Sequence, residues 1–129
     1  MKNQVTIIIP TIKINSLLIE VVENILENTP NLSIHIVTNQ NSKIFPPKKN
    51  IKIILTGSKN MSKKRNLGVQ AANTEFVGFV DSDAYPNKDW LSNGIKILEK
   101  NSEVGIVTGP ELSFPNQSFM ENIVGFCNQ

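Results

Sequence analysis

The sequence predicts an α/β fold, a mostly parallel sheet with helices on both faces. Three observations predict it. Short β-branched runs at Val5 to Ile9, Leu32 to Val37, Ile51 to Leu55 and Phe76 to Val80 alternate with stretches of helical apolar spacing. Such alternation marks βαβ units, whose parallel strands need long crossover connections. The first run is nearly all apolar, as a strand covered on both faces must be. The fourth stops abruptly at Asp81-Ser82-Asp83, so the sheet has a polar edge.

Composition narrows the class. The chain has 129 residues, 40% hydrophobic and 19% charged, which suits one globular domain over residues 1–129. A net charge of +2 gives no electrostatic case for nucleic acid. No apolar run is long enough for a membrane span, and Val5 to Ile9 is too short for the core of a signal peptide. The single cysteine, Cys127, cannot form an internal disulfide, which fits a cytoplasmic location. Twelve of the thirteen basic residues are lysine and the exception is Arg65. Its forked, planar donors suit phosphate, carboxylate or a base edge.

Taken in order, Val5 to Ile9 is a strand ended by Pro10, with a loop from Thr11 to Ile14. Asn15 or Ser16 caps a helix whose Leu18, Val21, Val22, Ile25 and Leu26 share one face. Leu32 to Val37 is the second strand, followed by the polar loop Thr38 to Ser42 and a surface connection at Pro46-Pro47. Ile51 to Leu55 is the third. Ser62 is the expected N-cap of a helix through Ala72, and Gly68 inside it suggests close packing or close approach of another backbone. Phe76 to Val80 reads as a fourth, buried strand. Asn87 is the expected cap of a helix carrying Trp90, Leu91, Ile95 and Leu98. Val104 to Val107 reads as a fifth strand closed by Gly109-Pro110, and Ser113 to Asn116 as loop. A last helix starts near Phe119.

Open parallel sheets bind ligands beyond the carboxyl ends of their strands. Asp81 and Asp83 sit at that edge. Strand alternation would place both on one side of the backbone, with Ser82 opposite. Close carboxylates repel unless something positive lies between them, and a divalent cation such as Mg²⁺ or Mn²⁺ takes such oxygen ligands. His35, Trp90, Lys48-Lys49 and Cys127 read as packing or surface residues.

These residues carry a resemblance. Val5 to Thr11, Ser62-Lys63-Lys64-Arg65-Asn66-Leu67-Gly68, Phe76 to Asp83, Pro86 to Leu91 and Gly109-Pro110 together resemble the nucleotide-binding half of family 2 glycosyltransferases. Those enzymes have the Rossmann-like GT-A fold. The resemblance implies a nucleotide-sugar donor, a divalent metal (Mn²⁺ or Mg²⁺) and inverting transfer to an acceptor. It implies Asp83 as the main metal ligand and Asp81 at the ribose or sharing the metal. Pro10 and Thr11 would line the base, with Arg65 near the nucleotide. In the matching helix Lys64 stands where alanine is usual. Two departures matter. Thr38-Asn39 replaces a usual pair of aspartates, so Asn39 would meet the base. The second is larger: the family's acceptor half and its general base lie beyond the motifs found here, and Glu111 and Glu121 match no such role. A truncated piece is therefore expected, one that leaves sheet edges open to self-association and any membrane contact to other regions.

Three other readings compete. A haloacid-dehalogenase-type phosphatase would use Asp81 as nucleophile but wants Thr or Val where Tyr85 stands. A nucleotidyltransferase would need a glycine-rich loop where Pro10-Thr11-Ile12-Lys13 stands. The third is a non-catalytic nucleotide-binding or interaction module.

Overall fold

The first strand, β1 (Val5–Pro10), is buried at every position. Successive strand side chains point to opposite faces, so the centre of the sheet is covered on both. Burying isoleucine stabilises by roughly 1.5–3 kcal/mol per side chain, and Ile7, Ile8 and Ile9 are all fully enclosed. The computed structural model describes residues 4–41, 49–110 and 112. They divide into two compact units, Met1–Lys88 and Asp89–Gln129.

In the first unit, α1 (Ser16–Asn28) follows β1. Asn15 caps it, accepting the backbone N–H of Leu18 at 3.0 Å. Its buried stripe is Leu18, Val21, Val22, Ile25 and Leu26, as the spacing predicts. Then come β2 (Ser33–Thr38), β3 (Ile51–Leu55), α2 (Met61–Ala71) and β4 (Phe76–Phe79). The four strands lie in the order β3-β2-β1-β4, and all three pairings are parallel. This is the Rossmann-like sheet with helices that the sequence predicts.

Helix α2 packs on β1 and β2. Gly68 is why it lies so close. A Cβ there would meet Ile8 Cγ2 at 2.4 Å, a distance real Cβ atoms do not show. His35, the register partner of Ile8, presents Nδ1 to the Gly68 carbonyl at 3.3 Å on the same face.

Two expectations about this unit are corrected. The cap of α2 is Asn60, whose Oδ1 accepts the Lys63 N–H at 2.9 Å; Ser62 already lies inside the first turn. The strand expected to be buried, β4, is half exposed, with Val77 and Phe79 at 37% and 47%. Its place at the end of the sheet explains this. Among the described residues it pairs with β1 alone.

The second unit begins with α3 (Trp90–Lys100), which buries Leu91 and Ile95 one turn apart. Asp89, not Asn87, occupies its N-cap position. The fifth strand is absent from Val104–Val107. That run has no strand assignment; it follows a turn closed by Val104 N–H to the Asn101 carbonyl, and Ile106 is 86% exposed. Four apolar residues make a strand only where a neighbour completes the ladder. Pro46-Pro47, Lys48, Glu111, Ser113 to Asn116, Phe119, Glu121 and Cys127 lie outside the described residues. No described helix is long and apolar enough to cross a membrane.

Candidate functional site

The chain reverses its direction of travel through the sheet at β1, which has β2 on one side and β4 on the other. In open parallel sheets such a switch point opens a crevice at the carboxyl ends of the strands. A cavity of about 370 Å³ lies there, lined by Thr11, Ile12, Lys13, Asn15, Met61 and Ser82. It takes residues from the loop after β1, the start of α2 and the turn after β4.

The loop after β1 is firmly tied. Pro10 ends the strand without an N–H of its own. Thr11 is buried; its N–H donates to the Val37 carbonyl at 2.9 Å and its hydroxyl to the Lys13 carbonyl at 2.8 Å. Thr38 Oγ1 donates to the Ile12 carbonyl and accepts the Gln40 N–H, both at 3.2 Å. Gln40 Oε1 in turn accepts the Ile14 N–H at 3.2 Å.

Asn39 faces inward. Its Nδ2 donates to the carbonyls of Thr56 at 2.8 Å and Ser58 at 3.0 Å, and its Oδ1 accepts from Lys64 Nζ at 2.5 Å. Both amide hydrogens are therefore engaged by the loop after β3, and only a lone pair on Oδ1 is left for a ligand.

Lys64 is the residue that pattern reading missed. It is fully enclosed, the largest such side chain among the described residues. Its ammonium donates to the Thr11 carbonyl as well as to Asn39. Burial pushes its pKa below the usual lysine value, since leaving water disfavours the charged form. One signal did exist. Lys64 stands four residues before Gly68, so the two share the face of α2 that meets the sheet.

Arg65 and Asp81 are brought together. Arg65 Nη2 donates to Asp81 Oδ1 at 2.9 Å, with the side chains 35% and 64% exposed. A pair so exposed contributes at most about 1 kcal/mol to stability. Its value is in fixing two charged groups at the rim. The alternation argument does not hold for Asp81 and Asp83. The strand ends at Phe79, and Ser82 and Asp83 lie in a turn in which the Ala84 N–H donates to the Asp81 carbonyl at 3.1 Å. Both aspartates are exposed, and hard carboxylate oxygens of this kind suit Mg²⁺ or Mn²⁺. Among the described residues no three His, Cys, Asp or Glu side chains converge on one point. Tyr85 ties the same turn to α1, its hydroxyl donating to Glu20 Oε2 at 2.8 Å. That bond, with burial and the Glu20 charge, raises the phenol's pKa above its ordinary value.

A profile described as Glycosyl transferase family 2 matches residues 6–123, nearly the whole chain and every rim residue described above. The chain belongs to glycosyl transferase family 2. Solved structures agree on the fold of this family 2 domain. S. aureus TarS 1–349 superposes with a TM-score of 0.64 at 19% identity, over 86% of this chain and 40% of TarS. Bifunctional IspDF from Campylobacter jejuni superposes with a TM-score of 0.60 at 15% identity, over 75% of this chain and 31% of IspDF. The domain thus spans less than half of either protein. No curated protein matches it in sequence.

Proposed function

We propose that this family 2 domain binds a nucleotide-sugar donor in the crevice between β1 and β4, for inverting transfer of the sugar. One observation carries the proposal. The cavity at the switch point is lined by Thr11 from the loop after β1 and by Ser82, the residue between Asp81 and Asp83. The loop at Pro10 and Thr11 lines the base. Arg65 holds Asp81 at the rim and presents its remaining donors toward the nucleotide. Asp83 is the main ligand of a divalent cation, Mn²⁺ or Mg²⁺, with Asp81 sharing that role or meeting the ribose. The cation supplies positive charge against the diphosphate leaving group. The chain's own residues bind and orient the donor.

Calorimetry with UDP, GDP, CDP and ADP, with and without Mn²⁺, tests this. At least one nucleotide should bind more tightly with Mn²⁺. Asp83→Ala should remove most of that gain, a loss of about tenfold or more, or at least 1.4 kcal/mol. Metal-dependent affinity left unchanged in Asp83→Ala would refute the assignment.

A further inference from the structure

The family reading leaves a fully enclosed lysine at the ligand edge without a purpose. An ammonium removed from water is costly unless every nearby acceptor is used well. Here it is used to join separate segments. Lys64 Nζ donates to the Thr11 carbonyl, in the loop after β1, and to Asn39 Oδ1, in the loop after β2. Asn39 Nδ2 carries the connection to the carbonyls of Thr56 and Ser58, after β3. The orientation of Asn39 follows from chemistry. An ammonium only donates and a backbone carbonyl only accepts, so the amide oxygen must face Lys64 and the amide nitrogen the two carbonyls. Gly68, one turn further on, lets α2 settle closely onto Ile8.

We propose that Lys64 is a positioning residue for the nucleotide site: its buried ammonium, acting through Thr11 and Asn39, holds the loops after β1, β2 and β3 in one arrangement that the donor binds. This rests on the donor reading above. Lys64 itself is enclosed and touches no ligand. Its loss should therefore weaken every nucleotide that uses the Thr11 wall, whatever the base. The departures at positions 39 and 64 belong together. A neutral amide at 39 accepts from the cation and still donates twice, which a carboxylate at 39 cannot do.

The test has three arms. Lys64→Met keeps length and apolar stem but removes charge and donors. It should bind the nucleotides that wild type binds about tenfold or more weakly, and by similar factors. Retention within about twofold would overturn the proposal, as would a loss confined to one base, which would mean direct contact. Second, Lys64→Cys in a Cys127→Ser background is alkylated while unfolded and then refolded. Aminoethylation rebuilds a lysine-like ammonium and should restore affinity; propylation should not. Equal affinity of the two products would overturn the proposal. The third arm uses wild type without nucleotide, so it stands even if the variants fail to fold. Lysine side-chain NMR should show one ammonium, Lys64, exchanging its protons far more slowly than the rest. Fast exchange at all twelve lysines would overturn the cross-link. Absence of nucleotide binding by wild type, with slow exchange at Lys64, would instead refute the donor reading and leave the cross-link standing.

Discussion

His35 shows how one side chain couples the sheet to the solution. It is 6% exposed in β2, beneath α2, with Nδ1 against the Gly68 carbonyl. A carbonyl only accepts, so Nδ1 carries the proton and the ring is neutral when Nε2 is bare. Burial is the largest influence and lowers the pKa. The Gly68 bond raises it in part, and Lys52, its register partner on β3, lowers it further. The folded value therefore lies below the ordinary 6.5. Below that pH the unfolded chain binds the proton more readily than the folded one. The stability tied to a neutral His35 is complete above about pH 6.5 and is lost as pH falls through the folded value. Thermal unfolding should show a drop in Tm from pH 7.5 to 5.5 that shrinks in His35→Gln. Equal drops in the two proteins would show that another group titrates.

At the scale of elements, the contact of α2 with β1 decides most of the site. Alanine favours a helix over glycine by about 1 kcal/mol, so Gly68→Ala would stabilise an isolated helix. In the protein the new methyl meets Ile8 Cγ2 at 2.4 Å, and Ile8 is fully buried. Overpacking should prevail, with a net loss of roughly 1–3 kcal/mol in urea unfolding. Ile8→Ala should be less harmful in the Gly68→Ala background than alone, because it removes the clash. A Gly68→Ala protein as stable as wild type would refute the close-contact account. This helix also shows what could be read from sequence. Gly68 signalled close packing by being a glycine within a helix. The strands β1, β2 and β3 were legible as apolar runs, and Asn15 as a cap. Asn60 and Asp89 hold the N-cap positions, Asn60 alone of the two with a capping side-chain bond, whereas Ser62 and Asn87, two residues away, have equally suitable side chains. Only the path of the backbone selects between them. Spacing to Gly68 marks the face on which Lys64 lies, but its full enclosure was illegible for a related reason. It depends on how closely α2 approaches the sheet, and no local pattern states that distance.

At the scale of the whole molecule, the sheet has two unequal ends. Strand β3 carries Lys52 with its side chain exposed, and a charge on an edge strand discourages pairing with another chain. Strand β4 reads Phe76-Val77-Gly78-Phe79, with no charge, and exposes Val77 and Phe79. Its exposure differs from expectation because composition reports apolarity, whereas burial depends on what lies alongside. Among the described residues nothing pairs with the outer side of β4. We predict that the 129-residue chain self-associates through β4 as its concentration rises. Val77→Lys should suppress this, since the lysine would place a charge where a second copy would have to pair. Light scattering over a concentration series measures it, with Tm recorded for both proteins. Val77 lies opposite Thr6 in the register and is partly exposed, so the variant should lose little stability. A wild type that stays monomeric across the series, or a Val77→Lys protein that associates as strongly, would show that the β4 edge is not the surface through which copies meet.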